Sequence, residues 1–253
     1  MTGRRTDRRR SGAVGPVRVG PVVVAVLTTV LIGTAGCTPA AAPGPAPPPS
    51  SAPVPPPAAP PVLPVPPASP ADQAVLDRAA AGLRPFLLAP GEVGPGYQPG
   101  AEPVADPTVP AVCGGPGVIA QFPYAVRVGA GFDAPAQGVF VQEAASVYPD
   151  PGTAQAAYRA TTGGLSCAEG TVAGVPVTLS ADAGLTDGIG ADGIGVEESA
   201  GYRLSGNGVE LRLVSARAAE LVVTFVFIAP QGRTGDLPDV AAVAATGVRK
   251  LTG

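Results

Sequence analysis

The chain has 253 residues, 45% of them apolar by type, with 35 Gly, 33 Pro and no histidine or tryptophan. Without histidine it lacks the commonest general base, the Ser-His-Asp and Cys-His arrangements and the commonest zinc ligand. Residues 1–36 carry six Arg against Asp7, whereas residues 37–253 carry ten Lys plus Arg against 18 Asp plus Glu, an acidic balance that repels phosphate backbones and argues against a nucleic-acid partner.

The Arg-rich start (Arg4, Arg5, Arg8, Arg9, Arg10) and the apolar run from Val22 to Ala35 form the n-region and h-region of an export signal spanning 1–36. The run of about 14 residues is shorter than the roughly 20 that a membrane-spanning helix needs. Thr34-Ala35-Gly36-Cys37 resembles the lipobox of bacterial lipoproteins, with Thr34 where Leu is usual. Lipidation of Cys37 is the expectation, and an ordinary cut near Ala40 to Ala42 stays open. Of three cysteines, a lipidated Cys37 leaves Cys113 and Cys167 to form one disulfide in an oxidising compartment. Residues 37–70 are a lipidated N-terminus and linker. Pro fills 16 of the 33 positions from 38 to 70, with no charge among them, so the segment reads as an extended tether reaching about 100 Å.

Residues 71–253 are expected to form one domain. Asp72 can cap a helix with Leu76, Ala79, Ala80 and Leu83 on its apolar face, ending at Arg84-Pro85. The Pro/Gly-rich stretch to Gly117 predicts irregular chain held by Cys113, and a helix or turn follows over 118–122. Strands are predicted over 124–128, 138–148 and 172–179. Asp150-Pro151 reads as the cap and first residue of a helix running to Thr162, whose end the disulfide would staple to the earlier loop. Tyr202 to Val214, with Asn207-Gly208 at its centre, is a hairpin signature, and Leu221 to Ile228 supplies a third strand apolar enough to be covered on both faces. Asp236 and Pro238 open a last helix with Val240, Val243, Ala244, Val248 and Leu251 inward. The fold class is α+β: an antiparallel sheet packed with a few helices and one disulfide.

Several of these features lie together: Leu87-Leu88, Glu92-Val93 and Pro95-Gly96-Tyr97, then Cys113 in a Gly-rich loop, the strand-then-helix step from Tyr148 to Tyr158, Cys167, and paired strands from Val209 to Ile228. On them the chain resembles the extracellular sensor domain of PknH-type mycobacterial receptor kinases and related actinobacterial lipoproteins, over most of residues 80–252. The resemblance implies an antiparallel sheet packed with helices around a cleft, and binding of an envelope or external ligand. It departs from the kinase sensors in having one cysteine pair where they have two, and with no kinase domain in the sequence, signalling does not carry over.

No catalytic, cofactor-binding or metal-binding residues are expected. Asp187, Asp192, Glu197 and Glu198 lie in a Gly-rich loop without the ligand spacing of a calcium site, and that loop reads as solvated. Gly164-Leu-Ser166-Cys167-Ala is a chance approach to a nucleophile elbow, with no His to activate Ser166. Tyr97, Tyr124, Tyr148 and Tyr202 could line a cleft but read first as core residues. The sole lysine, Lys250, is too near the C-terminus for a Ser-Lys dyad. The leading expectation is a non-enzymatic lipoprotein on the extracytoplasmic face of the membrane, or secreted, whose cleft takes an envelope lipid, glycan or other small molecule. The alternatives are a structural lipoprotein docking a protein or wall polymer and, last, a hydrolase pairing Glu197 or Glu210 with Asp192.

Overall fold

The computed structural model describes residues 70–191 and 195–253. The expected export signal, Cys37, the expected tether up to Ser69 and Asp192 lie outside the described residues. In chain order the elements are α1 (Pro70–Leu83), α2 (Pro90–Val93), β1 (Gln98–Gly100), α3 (Val118–Gln121), β2 (Val126–Ala134), β3 (Val139–Val147), α4 (Pro151–Gly163), β4 (Glu169–Val172), β5 (Val175–Ala181), β6 (Glu198–Gly206), β7 (Val209–Ala218), β8 (Leu221–Pro230) and α5 (Val240–Thr252). The strands form one antiparallel sheet in the order β1-β2-β3-β8-β7-β6-β5-β4.

The β6-β7-β8 meander follows from its turns. Asn207 and Gly208 both take positive φ, 50° and 75°, the left-handed pair that lets a two-residue turn match the twist of its strands. Strand β8 then lies in the middle of the sheet between β7 and β3, where Phe225 and Phe227 are fully buried. Removing each ring from water stabilises the fold by about 2 kcal/mol.

Period two along the strands separates two faces. On one, Val141, Val214, Phe225 and Phe227 pack against Val243, Ala244 and Val248 of α5, with Leu88 and Val93 beside them. On the other, Val222 and Tyr148 pack against Ala154, Ala157 and Tyr158 of α4, and Leu179 and Leu204 meet Val177 and Leu165. Helix α4 starts where Asp150, in extended backbone, accepts from the Thr153 N–H at 2.9 Å and the Thr153 hydroxyl at 2.7 Å. Helix α5 is capped by Asp239, which accepts from the Ala242 N–H at 3.1 Å, while Arg249 and Lys250 lie in its last turn, where cations complement the helix dipole.

The architecture is the expected α+β sheet with helices and one bridge, Cys113–Cys167. Several local expectations are corrected. Helix α1 begins at Pro70, so Asp72 sits in its first turn and is not its cap. The strand expected over 172–179 is a hairpin, β4 and β5, broken at Ala173-Gly174, where both residues take positive φ. Strand β2 starts later than expected and continues to Ala134. The last helix starts at Val240 with Asp239 as its cap, because Asp236 belongs to a preceding 3-10 turn. Strand β8 is sealed along the α5 side, while on the other side Val222 is buried under α4 and Thr224, Val226 and Ile228 are half-buried.

Candidate functional site

Residues 101–117 form a strap without helix or strand that crosses the sheet face opposite α5. It starts beside β2, where the Ala101 carbonyl occupies the place a Cβ on Gly131 would need and the Pro103 ring does the same at Gly129. Only glycine at those two positions lets a backbone lie this close to the sheet. At the far edge the Val112 carbonyl accepts from the Thr171 N–H of β4 at 2.9 Å. The strap therefore spans the sheet from one edge to the other.

Its second half is pinned to the end of α4. Cys113 is bonded to Cys167, and its N–H donates to the Gly164 carbonyl at 3.1 Å. Helix α3 grows directly from the strap, with Gly117 at its cap position. Between strap, α3 and α4 the chain leaves a cleft of about 210 Å³. Leu213 of β7 and Leu165 line it with Val109, Pro110, Ala111 and Val112 from the strap. Val118 and Ile119 of α3 and Ala160 and Thr161 of α4 complete the walls.

The lining is nearly free of polar side chains. The Thr161 hydroxyl donates to the Ala157 carbonyl of its own helix at 2.9 Å. Asp106, at the mouth, accepts from the Thr108 N–H at 2.8 Å and its hydroxyl at 2.6 Å, bonds that hold its carboxyl below the usual carboxylate range. The cleft thus offers apolar contact and one rim carboxylate. Its room exceeds the roughly 150 Å³ of an apolar cavity that holds benzene and falls below the roughly 300 Å³ at which drug-sized pockets begin. A ring or the end of a branched chain fits it better than a whole metabolite.

Apolar surface continues from the floor. Leu213 lies across from Val226, and the neighbouring row runs Leu211, Ile228, Phe140 over β7, β8 and β3 on the same face. Phe140 is 47% exposed, and Val109 on the strap is 53% exposed.

The residues singled out from sequence are dispersed. The two cysteines stand at the cleft's edge, but the four tyrosines do not gather in it. Tyr148 is core, Tyr202 donates to the Thr162 carbonyl at 3.2 Å, Tyr97 is partly buried against the α5-side core with its hydroxyl unpartnered, and the Tyr124 ring lies under Arg127. Ser166 donates to the Gly163 carbonyl at 2.7 Å. Glu197 and Glu198 both bind the buried Arg217, at 2.5 and 2.7 Å, and Glu210 pairs with Arg212 at 3.6 Å. These carboxylates neutralise neighbouring guanidinium groups, and Asp192 lies outside the described residues. Among the described residues no group of three or more His, Cys, Asp or Glu could hold a metal ion, and no helix is long and apolar enough to cross a membrane.

No family model matches the chain, and no curated protein matches it. Among solved structures it is similar to the extracellular domain of PknH from Mycobacterium tuberculosis, at 19% identity and a TM-score of 0.48, covering 68% of this chain and 95% of that one.

Proposed function

We propose that the chain is a non-enzymatic, extracytoplasmic binding module, anchored by lipid at Cys37, whose cleft takes the apolar part of an envelope ligand. The single observation that carries this reading is the cleft: an apolar recess, open on one side, whose wall is covalently pinned by a disulfide. Walls this poor in polar groups hold a ligand by area removed from water, with little directional bonding. Support for an extracytoplasmic site comes from the export-signal pattern of residues 1–36, the uncharged Pro-rich spacer behind Cys37 and a bridge of the kind that persists in oxidising compartments. The lack of histidine and the pairing of Glu197, Glu198 and Glu210 with arginines favour binding over catalysis.

A second reading has its own observation. The half-open row Leu211, Ile228, Phe140 is apolar surface outside the cleft, and such surface also suits docking of a protein or wall polymer. Native mass spectrometry of the protein from an actinobacterial host separates the two. A discrete extra mass lost on denaturation is the expected result. An apo mass together with a stable protein partner would favour docking and count against the cleft.

A further inference from the structure

We propose that Arg127 is the cationic half of an oxyanion-binding site, made with Tyr124 and Ser146 on β2, β3 and the chain just before β2, and taking a phosphate or carboxylate group. Arg127 lies across from Ser146 on the strap-bearing face of the sheet. Its Nη1 donates to the Ser146 hydroxyl at 2.7 Å, and its guanidinium carbon lies 5.9 Å from the centre of the Tyr124 ring. Its Nε–H is buried and meets no acceptor.

Among the described residues no carboxylate forms an ion pair with it. Loss of water lowers its pKa, and the groups that act against that electrostatically are the side chains of Tyr124 and Tyr148. Arg84, Arg159, Arg203, Arg212, Arg217 and Arg233 each have a carboxylate within 4.0 Å, and Arg217, the most buried, has two. Arg127 is paired in none of them. Taking a cation out of water without an opposite charge is costly, and the Tyr124 ring offsets only part of that cost. The rest of the cost is offset if an anion from outside completes the site. A guanidinium with an uncommitted Nε–H is suited to a group presenting two oxygens, which it can bind in a fork. Arg127 as a residue is partly open to solvent, so such a group approaches the open side of the guanidinium and gains the Nε–H, itself shut off from solvent, only as it displaces what covers that atom. The site uses none of the cleft's lining residues and does not depend on the cleft being a binding site.

The test uses the full chain and two variants, Arg127→Met and Arg127→Lys, with inorganic phosphate, acetate and sodium chloride of matched ionic strength. Wild type is expected to show a saturable shift of the Arg127 Nε–H resonance with phosphate or acetate and not with chloride, and a Tm that rises with the same ligand. Arg127→Met should fold with equal or higher Tm in the absence of anion, because an unpaired buried charge is gone, and should weaken anion binding at least about tenfold, or roughly 1.4 kcal/mol. Arg127→Lys should fall between, since it keeps the charge and loses the fork. Vesicles bearing phosphatidylglycerol against phosphatidylcholine then separate a lipid headgroup from a free anion as the source. A lower Tm for Arg127→Met together with no ligand-specific shift in wild type would make Arg127 a structural residue and overturn the proposal.

Discussion

Raising the pH from about 5 to 8 is expected to destabilise the protein by about 3 kcal/mol, and Glu143→Gln is expected to remove that loss. Glu143 lies on β3 with Phe225 across from it on one side and Ala130 on the other, on the face covered by α5, and it is fully buried. One carboxyl oxygen accepts from the Leu88 N–H at 2.7 Å, and the other, facing α5 near Gly247, has no partner. Burial pushes its pKa up to about 7, against the pull of the Leu88 N–H and the charge of Lys250, with Glu92 adding a small push upward. Lys250 is itself held by the Leu87 carbonyl at 2.6 Å and by Glu92 at 2.7 Å, so it does not neutralise Glu143 directly.

The sign follows from linkage. A carboxyl raised above its unfolded value near 4.5 favours the protonated folded state. Its contribution is complete below about pH 4.5 and is lost as pH rises through 7. Glu92, Asp106, Asp150 and Glu197 shift the other way, each held low by hydrogen bonds, and their contributions are lost as pH falls below the ordinary carboxylate range. Stability should therefore peak near pH 5. A glutamine keeps an oxygen for the Leu88 N–H and cannot ionise, so the Glu143→Gln curve should stay flat from pH 5 to 8, with a Tm about 5 to 10 °C above wild type at pH 8. Urea denaturation at four pH values reads this directly. Parallel curves for the two proteins would contradict it.

Replacing both Cys113 and Cys167 by Ala is expected to cost about 4 kcal/mol, because the bridge closes a loop of 54 residues and removes that much freedom from the unfolded chain. The local consequence is as important. The bridge and the Cys113 N–H bond to Gly164 hold the strap's cleft wall against α4. Without the bridge the wall is held only by backbone hydrogen bonds, from the residue-113 N–H to Gly164 and from Thr171 to Val112, and by packing, so the double variant should loosen the cleft as well as lose stability. Urea midpoints at fixed pH, with and without reductant, give the first quantity. A double variant unfolding within 1 kcal/mol of wild type, as an order-of-magnitude bound, would show that the unfolded chain is already constrained there.

Much of the sheet was legible because its signals are local. Asn207-Gly208 between alternating apolar runs marks one turn, Asp150-Pro151 marks the start of α4, and three cysteines, with Cys37 expected to carry lipid, point to the Cys113–Cys167 pair. The β4-β5 turn was not, because Ala173-Gly174 sits inside a Val-rich run and Ala carries no turn signal, although its φ is 49°. The strap was expected as irregular chain, but its path over Gly129 and Gly131 is a long-range fact. The cleft's residues come from segments as distant as Val109 and Leu213 and look ordinary in sequence. Glu143 did leave a signal: Val139, Val141, Glu143 and Ala145 share one strand face, which places a carboxyl in an apolar row. Arg127, between two buried valines, reads in sequence as a solvated charge on the outer face, and only the lack of an ion-paired carboxylate among the described residues marks it otherwise.

The measurement that bears most directly on the central claim is binding of a neutral apolar fluorophore, N-phenyl-1-naphthylamine, to wild type and to Ala160→Phe. Ala160 lines the cleft and is partly exposed there, so a phenyl group at that position fills the recess without entering the core. Saturable binding to wild type, weakened at least about tenfold in Ala160→Phe at unchanged Tm, is the result the cleft predicts. Equal binding to both proteins, or none to either, would contradict it.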